Sequence, residues 1–269
     1  MNPLTVISGK GPVILGQPHS GLVVPDDIMA RLNARGRTLA DTDWHVDRLY
    51  DGLLAEASVV RANFHRYVID ANRDPSGASL YPGQNTTGLV PLTDFDGEAI
   101  WDAPPTEEEI ERRRMDFHAV YHLTLAAEID RARDAHGVAV LYDCHSIRSQ
   151  IPYLFDGTLP DLNIGTNNGA TCAKAIEEAV ADVCVASEFS YVVNGRFRGG
   201  WTTRHYGDPA HGVHAIQMEI AQSAYLETED APFAYSAAKA QKLRATLKQI
   251  LERIEQLALD GHLNGAGDD

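Results

Sequence analysis

The sequence is poor in positive charge. Lysine and arginine together number 23 against 38 acidic residues, a formal net charge of -15. A field of that sign repels phosphate backbones and anionic lipid surfaces, so neither nucleic acid nor a membrane is expected as a partner. Long apolar runs are missing as well. No segment approaches the roughly 20 apolar residues that span a bilayer. The first ten residues lack the basic stretch and apolar run of a targeting signal, and a cytoplasmic location is expected. Cysteine is scarce: Cys144, Cys172 and Cys184 form an odd set without metal-site spacing, expected as reduced thiols packed like small hydrophobes. Repeats and low-complexity tracts are absent and no shift of composition divides the chain. Residues 1–269, with 44% hydrophobic content, are therefore expected as one domain, frayed over 263–269.

Two apolar runs end abruptly in polar residues. Val13 to Leu15 precedes Gln17-Pro18-His19-Ser20, and Val138 to Tyr142 precedes Asp143-Cys144-His145-Ser146. Each reads as a buried strand that delivers a histidine at its carboxyl end, the edge where open α/β sheets place ligands. Further strands are expected at Ser58 to Arg61, Arg66 to Asp70, Ser190 to Val193 and Val213 to Ile220. Thr106 and Glu109 have capping-box spacing and open a helix to about Ala135, before Gly137. Another helix is expected from about Asp41 through Val46, Leu49 and Leu53. Leu243, Leu247, Ile250, Leu251, Ile254 and Leu257 make a 3.6-period, core-facing stripe near the carboxyl end. Pro75 to Leu92, rich in Gly, Pro, Ser and Thr, is too long for a plain connection and reads as a functional loop or lid.

A catalytic zinc site needs about three protein ligands and one open position. His19 and His145 supply two nitrogens, and a carboxylate from the Asp41-Thr42-Asp43-Trp44-His45 segment could supply the third. Taken singly each histidine reads as a hydrogen-bonded structural residue; together they fit a metal centre. Asp143, on the same side of its strand as His145, could orient that ligand or simply cap the strand end. Glu219 closes an apolar run, where a carboxylate is costly unless paired or used, so it is either a general base or the partner of an arginine. His118 and His122 have the spacing of helical zinc sites, but Ala119 stands where that motif has glutamate, and His122 is at most a pocket-lining residue. Arginines gather at Arg66 and Arg73 and again at Arg196, Arg198 and Arg204, forming candidate clamps for carboxylates.

The strings QPHSGLVVP, DTDWHVDRLYDG, NFHRYVIDANRDPSG, LYDCHS, NGRFRGGWTTRHYG and HAIQMEI, in this order from about residue 11 to 227, resemble the N-formylglutamate amidohydrolases. That family is similar to the zinc carboxypeptidases and aspartoacylases. The resemblance implies a three-layer α/β, zinc-exopeptidase-like (phosphorylase/hydrolase-like) fold, a mixed central sheet flanked by helices. It implies His19 and His145 as zinc ligands, Asn72 and Arg73 as holders of a substrate carboxylate, and Glu219 as general base; Arg198 and Arg204, from the second arginine cluster, are expected as further substrate contacts. The relatives take their remaining ligand from a glutamate three residues after the first histidine. Leu22 stands there in this chain, and Asp43 is expected to replace it, with His45 the alternative.

The activity so implied is zinc-dependent hydrolysis of N-formyl-L-glutamate to glutamate and formate, at the end of one route of histidine degradation. The partner is then a small acidic molecule, held against the protein's own negative charge by local arginines. The rival readings are a deacylase of another N-acyl acidic amino acid or a carboxypeptidase-like enzyme, and, in a different class, a metal-free binder of acidic metabolites.

Overall fold

The computed structural model describes residues 2–79 and 85–263. Its strands are β1 (Leu4–Ile7), β2 (Val13–Gln17), β3 (Ser58–Ala62), β4 (Ala139–Ile147), β5 (Leu162–Gly165), β6 (Tyr191–Val193) and β7 (Val213–Ala221). They form one mixed sheet in the order β1-β3-β2-β4-β7-β5-β6. The central four, β3, β2, β4 and β7, run parallel, β1 and β5 are antiparallel to their inner neighbours, and β6 runs parallel to β5. Every residue of β2, β4 and β7 is buried. Strands covered on both faces read in sequence as continuous apolar runs rather than alternations, which is why these three are visible in it.

The helices are α1 (Asp26–Met29), α2 (Val46–Tyr50), α3 (Glu107–Arg113), α4 (Ala119–His136), α5 (Lys174–Val185), α6 (Trp201–Tyr206) and α7 (Ala237–Leu259). One core lies between the sheet and α2, α5 and α7; the other lies between the sheet and α4. On α7 the residues Leu243, Leu247, Ile250, Leu251 and Ile254 are buried, and Leu257 packs partly against them. The capping box is formed: the Glu109 amide donates to Thr106 Oγ1, and Glu109 Oε2 accepts from the Thr106 amide. A π-helical turn, Arg114–His118, joins α3 to α4. The helix ends at Gly137 in the left-handed region with φ 75°. All three cysteines are free and buried.

Two expected elements differ. Arg66 to Asp70 is buried but is not a strand; its backbone is satisfied one group at a time, as where the Asp70 amide donates to Leu89 O at 2.8 Å. The helix expected from Asp41 starts at Val46, because His45 takes a left-handed conformation with φ 57° and the preceding residues turn toward the sheet edge. Leu263 is buried, so the frayed tail does not begin there. The rest of that tail lies outside the described residues, as do residues 80–84 of the expected loop. No helix among the described residues is long and apolar enough to cross a membrane.

Candidate active site

The carboxyl ends of β2, β4 and β7 meet at one edge. His145 on β4 is directly opposite Glu219 on β7, and Asp143 is opposite Gln217. Parallel pairing in this register turns all four side chains to the same face, two layers deep. His19 follows β2 by two residues. Asp43 arrives from the turn before α2, where its amide donates to His19 O.

Ligand atoms of His19, Asp43 and His145 all lie within 4.8 Å of one another, and all three residues are buried. His19 Nδ1 and His145 Nδ1 are 3.2 Å apart, and Asp43 Oδ2 is 3.2 Å from the latter. Each ring is oriented from behind. His19 Nε2 donates to Asp70 Oδ1 at 2.7 Å, and His145 Nε2 lies 3.1 Å from Asp143 Oδ2. Asp70 fixes the His19 tautomer whose Nδ1 lone pair faces inward, and the Nδ1 atoms of both rings converge on one point with a carboxylate oxygen. Two lone pairs and an anion at such separation repel unless a proton or a metal cation stands between them. This donor set, with its carboxylate-backed histidines, fits a divalent metal of the zinc type. His45, the alternative third ligand, is turned away and lies 2.9 Å from Phe233 O.

The charges around this point are strongly biased. Burial and the Arg66 charge lower the His19 pKa in spite of Asp70. Burial also works against charge on His145, but the Asp143 carboxylate and a hydrogen bond to Asp43 outweigh it and hold that imidazole well above its ordinary value. Burial pushes Asp43 upward, yet its bond to His145 and the nearby positive charges leave it below the usual range. Burial raises Glu219 to about 8, with His145 pulling against it and Asp43 adding to it.

A cavity of about 300 Å³ opens over this cluster, lined by Glu219, Arg66, Arg73, Arg196 and parts of the Pro75 to Leu92 loop. Arg66 is 5% exposed and donates to Asp70 Oδ2 at 2.8 Å. It also lies 3.7 Å from Asp43 Oδ1. Arg73 is anchored by bonds to Thr87 O, Thr87 Oγ1 and Asn72 O. Asn72 lines the same cavity with its amide engaged: Oδ1 accepts from the Thr202 amide, and Nδ2 lies 3.1 Å from His145 Nε2. Glycine is required beside it, since a Cβ at Gly200 would lie 2.3 Å from Asn72 Nδ2.

Arg198 and Arg204 do not line this cavity. Arg198 is exposed and bonded to Gly195 O, and Arg204 Nε donates to Gly199 O. The turn that carries them presents Arg196 to the cavity instead. His122 is also outside the lining. Two contributors had no separate reading in the sequence. Asp70 lies inside an apolar run, and that was its only signal. Gln217 lies two residues before Glu219; its Nε2 donates to Glu219 Oε2 at 3.2 Å and its Oε1 accepts from the Gly200 amide at 2.7 Å.

Comparison with known proteins shows the family. The family model described as N-formylglutamate amidohydrolase matches residues 11–226. A Pseudomonas putida N-formylglutamate deformylase is 46% identical, the match covering 93% of this chain and 95% of that protein. A Pseudomonas aeruginosa protein of the same name is 45% identical over 91% of this chain and 93% of its own. In fold, the chain is similar to the crystal structure of an N-formylglutamate amidohydrolase from Ralstonia eutropha JMP134, with TM-score 0.81, 24% identity, and coverage of 97% of this chain and 100% of that one. A gene product of Agrobacterium tumefaciens gives TM-score 0.73 at 18% identity, covering 96% of each chain. With its matched segment spanning most of its length and relatives near half identical over nearly all of theirs, this chain belongs to the N-formylglutamate amidohydrolase family.

Proposed function

We propose that the protein is a zinc-dependent deformylase that hydrolyses N-formyl-L-glutamate to glutamate and formate, a reaction that serves histidine degradation. The observation that carries this reading is the convergence of two carboxylate-backed histidines and Asp43 on one point, with Glu219 directly opposite His145. The family membership and the names of the relatives support the substrate.

His19, Asp43 and His145 would hold the metal, which when bound supplies Lewis acidity that acidifies water and polarises a carbonyl. Glu219 takes a proton from the attacking water and returns it to the departing amine. Its buried setting keeps its pKa close to the working range that acid-base exchange requires. Arg66, buried at the cavity wall between Asp43 and Asp70, is placed to stabilise negative charge developing on the formyl oxygen. Arg73 and Arg196 line the cavity and are assigned to the two substrate carboxylates, offsetting locally the repulsion of a chain of net charge -15. Asn72 adjoins Arg73 on the same wall. Formyl is the smallest acyl group, so selection falls chiefly on the amino-acid half.

The test is glutamate release from N-formyl-L-glutamate by purified protein, before and after chelation and on readdition of zinc, alongside elemental analysis. Release that survives complete metal removal would exclude the metal-dependent reading. Absence of release from the zinc-loaded protein, with turnover of N-acetyl or dipeptide substrates, would move the assignment to another deacylase.

A further inference from the structure

Residues 70–73 carry three groups of the site: Asp70 on His19, Asn72 beside His145, and Arg73 on the cavity wall. No sheet ladder holds this segment. The carbonyls of Ala71 and Arg73, and of Val68 just before the segment, are instead taken by side chains along the α3–α4 helix. Arg113 Nη1 donates to Val68 O at 3.3 Å, His122 Nε2 to Ala71 O at 2.7 Å, and His118 Nε2 to Arg73 O at 2.9 Å. The two histidine rings lie 4.4 Å apart, and both residues are buried. The π-helical turn ends at His118, and α4, which bears His122, starts at the next residue. A carbonyl can only accept, so each Nε2 carries a hydrogen. Burial lowers both imidazoles, His122 to about 3, which keeps these donors neutral.

We propose that His118 and His122 are positioning residues for substrate recognition. By holding the carbonyls on either side of Asn72, they fix where the Asn72 amide and the Arg73 guanidinium stand relative to the cavity. Neither ring touches the reacting atoms. Their role resembles that of a jig: the helix sets the backbone, and the backbone sets the carboxylate contact. The proposal rests on the deformylase reading for the identity of the substrate, and not for the geometry.

Three measurements on zinc-loaded full-length protein test it: N-formylglutamate kinetics, metal content, and hydrogen exchange over residues 70–74. His118→Phe and His122→Phe remove the donor and keep an aromatic ring, with leucine variants where that ring prevents folding. His118→Gln and His122→Gln keep an N–H near the Nε2 position. The donorless variants should exchange faster over 70–74 and raise KM roughly two- to tenfold, the range of one neutral hydrogen bond, with zinc content and kcat nearly unchanged. The glutamine variants should return both readouts toward wild type. Unchanged exchange overturns the proposal, as does faster exchange without a KM change, or a fall in melting temperature with KM intact. If wild type does not turn over N-formylglutamate, the substrate reading fails separately. Exchange, and its rescue by glutamine, then decides whether the two histidines hold the 70–74 backbone, and unchanged exchange overturns the proposal without any substrate.

Discussion

Replacing Glu219 by glutamine should make the metal-free protein more stable while nearly abolishing turnover. The carboxyl is 7% exposed, and burial raises it from 4.5 to about 8. A folded-state pKa above the unfolded one means that the favourable contribution is complete below pH 4.5 and is lost as pH climbs through 8. At roughly 1.4 kcal/mol per unit, the whole loss is on the order of 5 kcal/mol. Glutamine stays neutral at every pH, and its amide oxygen can still accept from Gln217 Nε2, which donates to Glu219 Oε2 in the wild type. The two proteins should therefore unfold in urea with similar free energies at pH 4.5 and diverge with rising pH. By pH 8.5 the variant should be ahead by at least ~1 kcal/mol, a conservative fraction of the full linkage. The zinc-loaded variant should keep its metal but lose about 10²- to 10⁴-fold in kcat, the range for removing a general acid-base group. A stability difference that does not change between pH 4.5 and 8.5 would refute the burial argument. A kcat within tenfold of wild type would refute the catalytic one.

His145→Ala should lose zinc and activity while circular dichroism stays native, because the residue sits at a strand end above the core; full metal occupancy in the folded variant would remove it from the ligand set. Arg73→Ala should lower kcat/KM for N-formylglutamate by roughly 1.5 to 3 kcal/mol, the value of a charge-assisted contact, with Arg73→Lys between it and wild type. A formylated amine without carboxylates should be turned over equally poorly by all three, and an equal proportional loss on both compounds would assign Arg73 to the scaffold. Leu247→Ala on α7 should cost roughly 2 to 5 kcal/mol in urea unfolding with kcat unchanged, since it opens a cavity in the core and does not line the candidate active site.

The central strands and the long helices were legible because burial leaves a pattern. β2, β4 and β7 are apolar runs that end in His19, His145 and Glu219, and α7 carries a clear stripe. β1 and β5 were not: two of the four residues of β1 are exposed, and β5 mixes Asn163 and Gly165 into its apolar pair. Arg66 to Asp70 misled for a physical reason. Tyr67, Val68 and Ile69 are as buried as strand residues, but side chains from the α3–α4 helix satisfy carbonyls that a neighbouring strand would otherwise take. Asp43 could be named among nearby carboxylates only with the help of the family resemblance, because its approach depends on the left-handed turn at His45. The choice of Arg196 over Arg198 depends on which way a glycine-rich turn rotates, and local composition carries no record of that.

The cluster gathers His19, Asp43, His145 and Glu219 from positions spread across 200 residues of chain, on strands whose neighbours in space are distant in sequence. Closing such long loops is entropically expensive and comes before any reward from contact, so parallel sheets of this kind fold slowly. No fragment that stops short of β7 contains Glu219, and none that begins after β2 and the turn that follows it contains both histidines. Recovery of activity in a refolding experiment would therefore report completion of the last strand pairing. Helical signal, which α4 and α7 can develop from local contacts, would return earlier, and the interval between the two would time the assembly of the sheet.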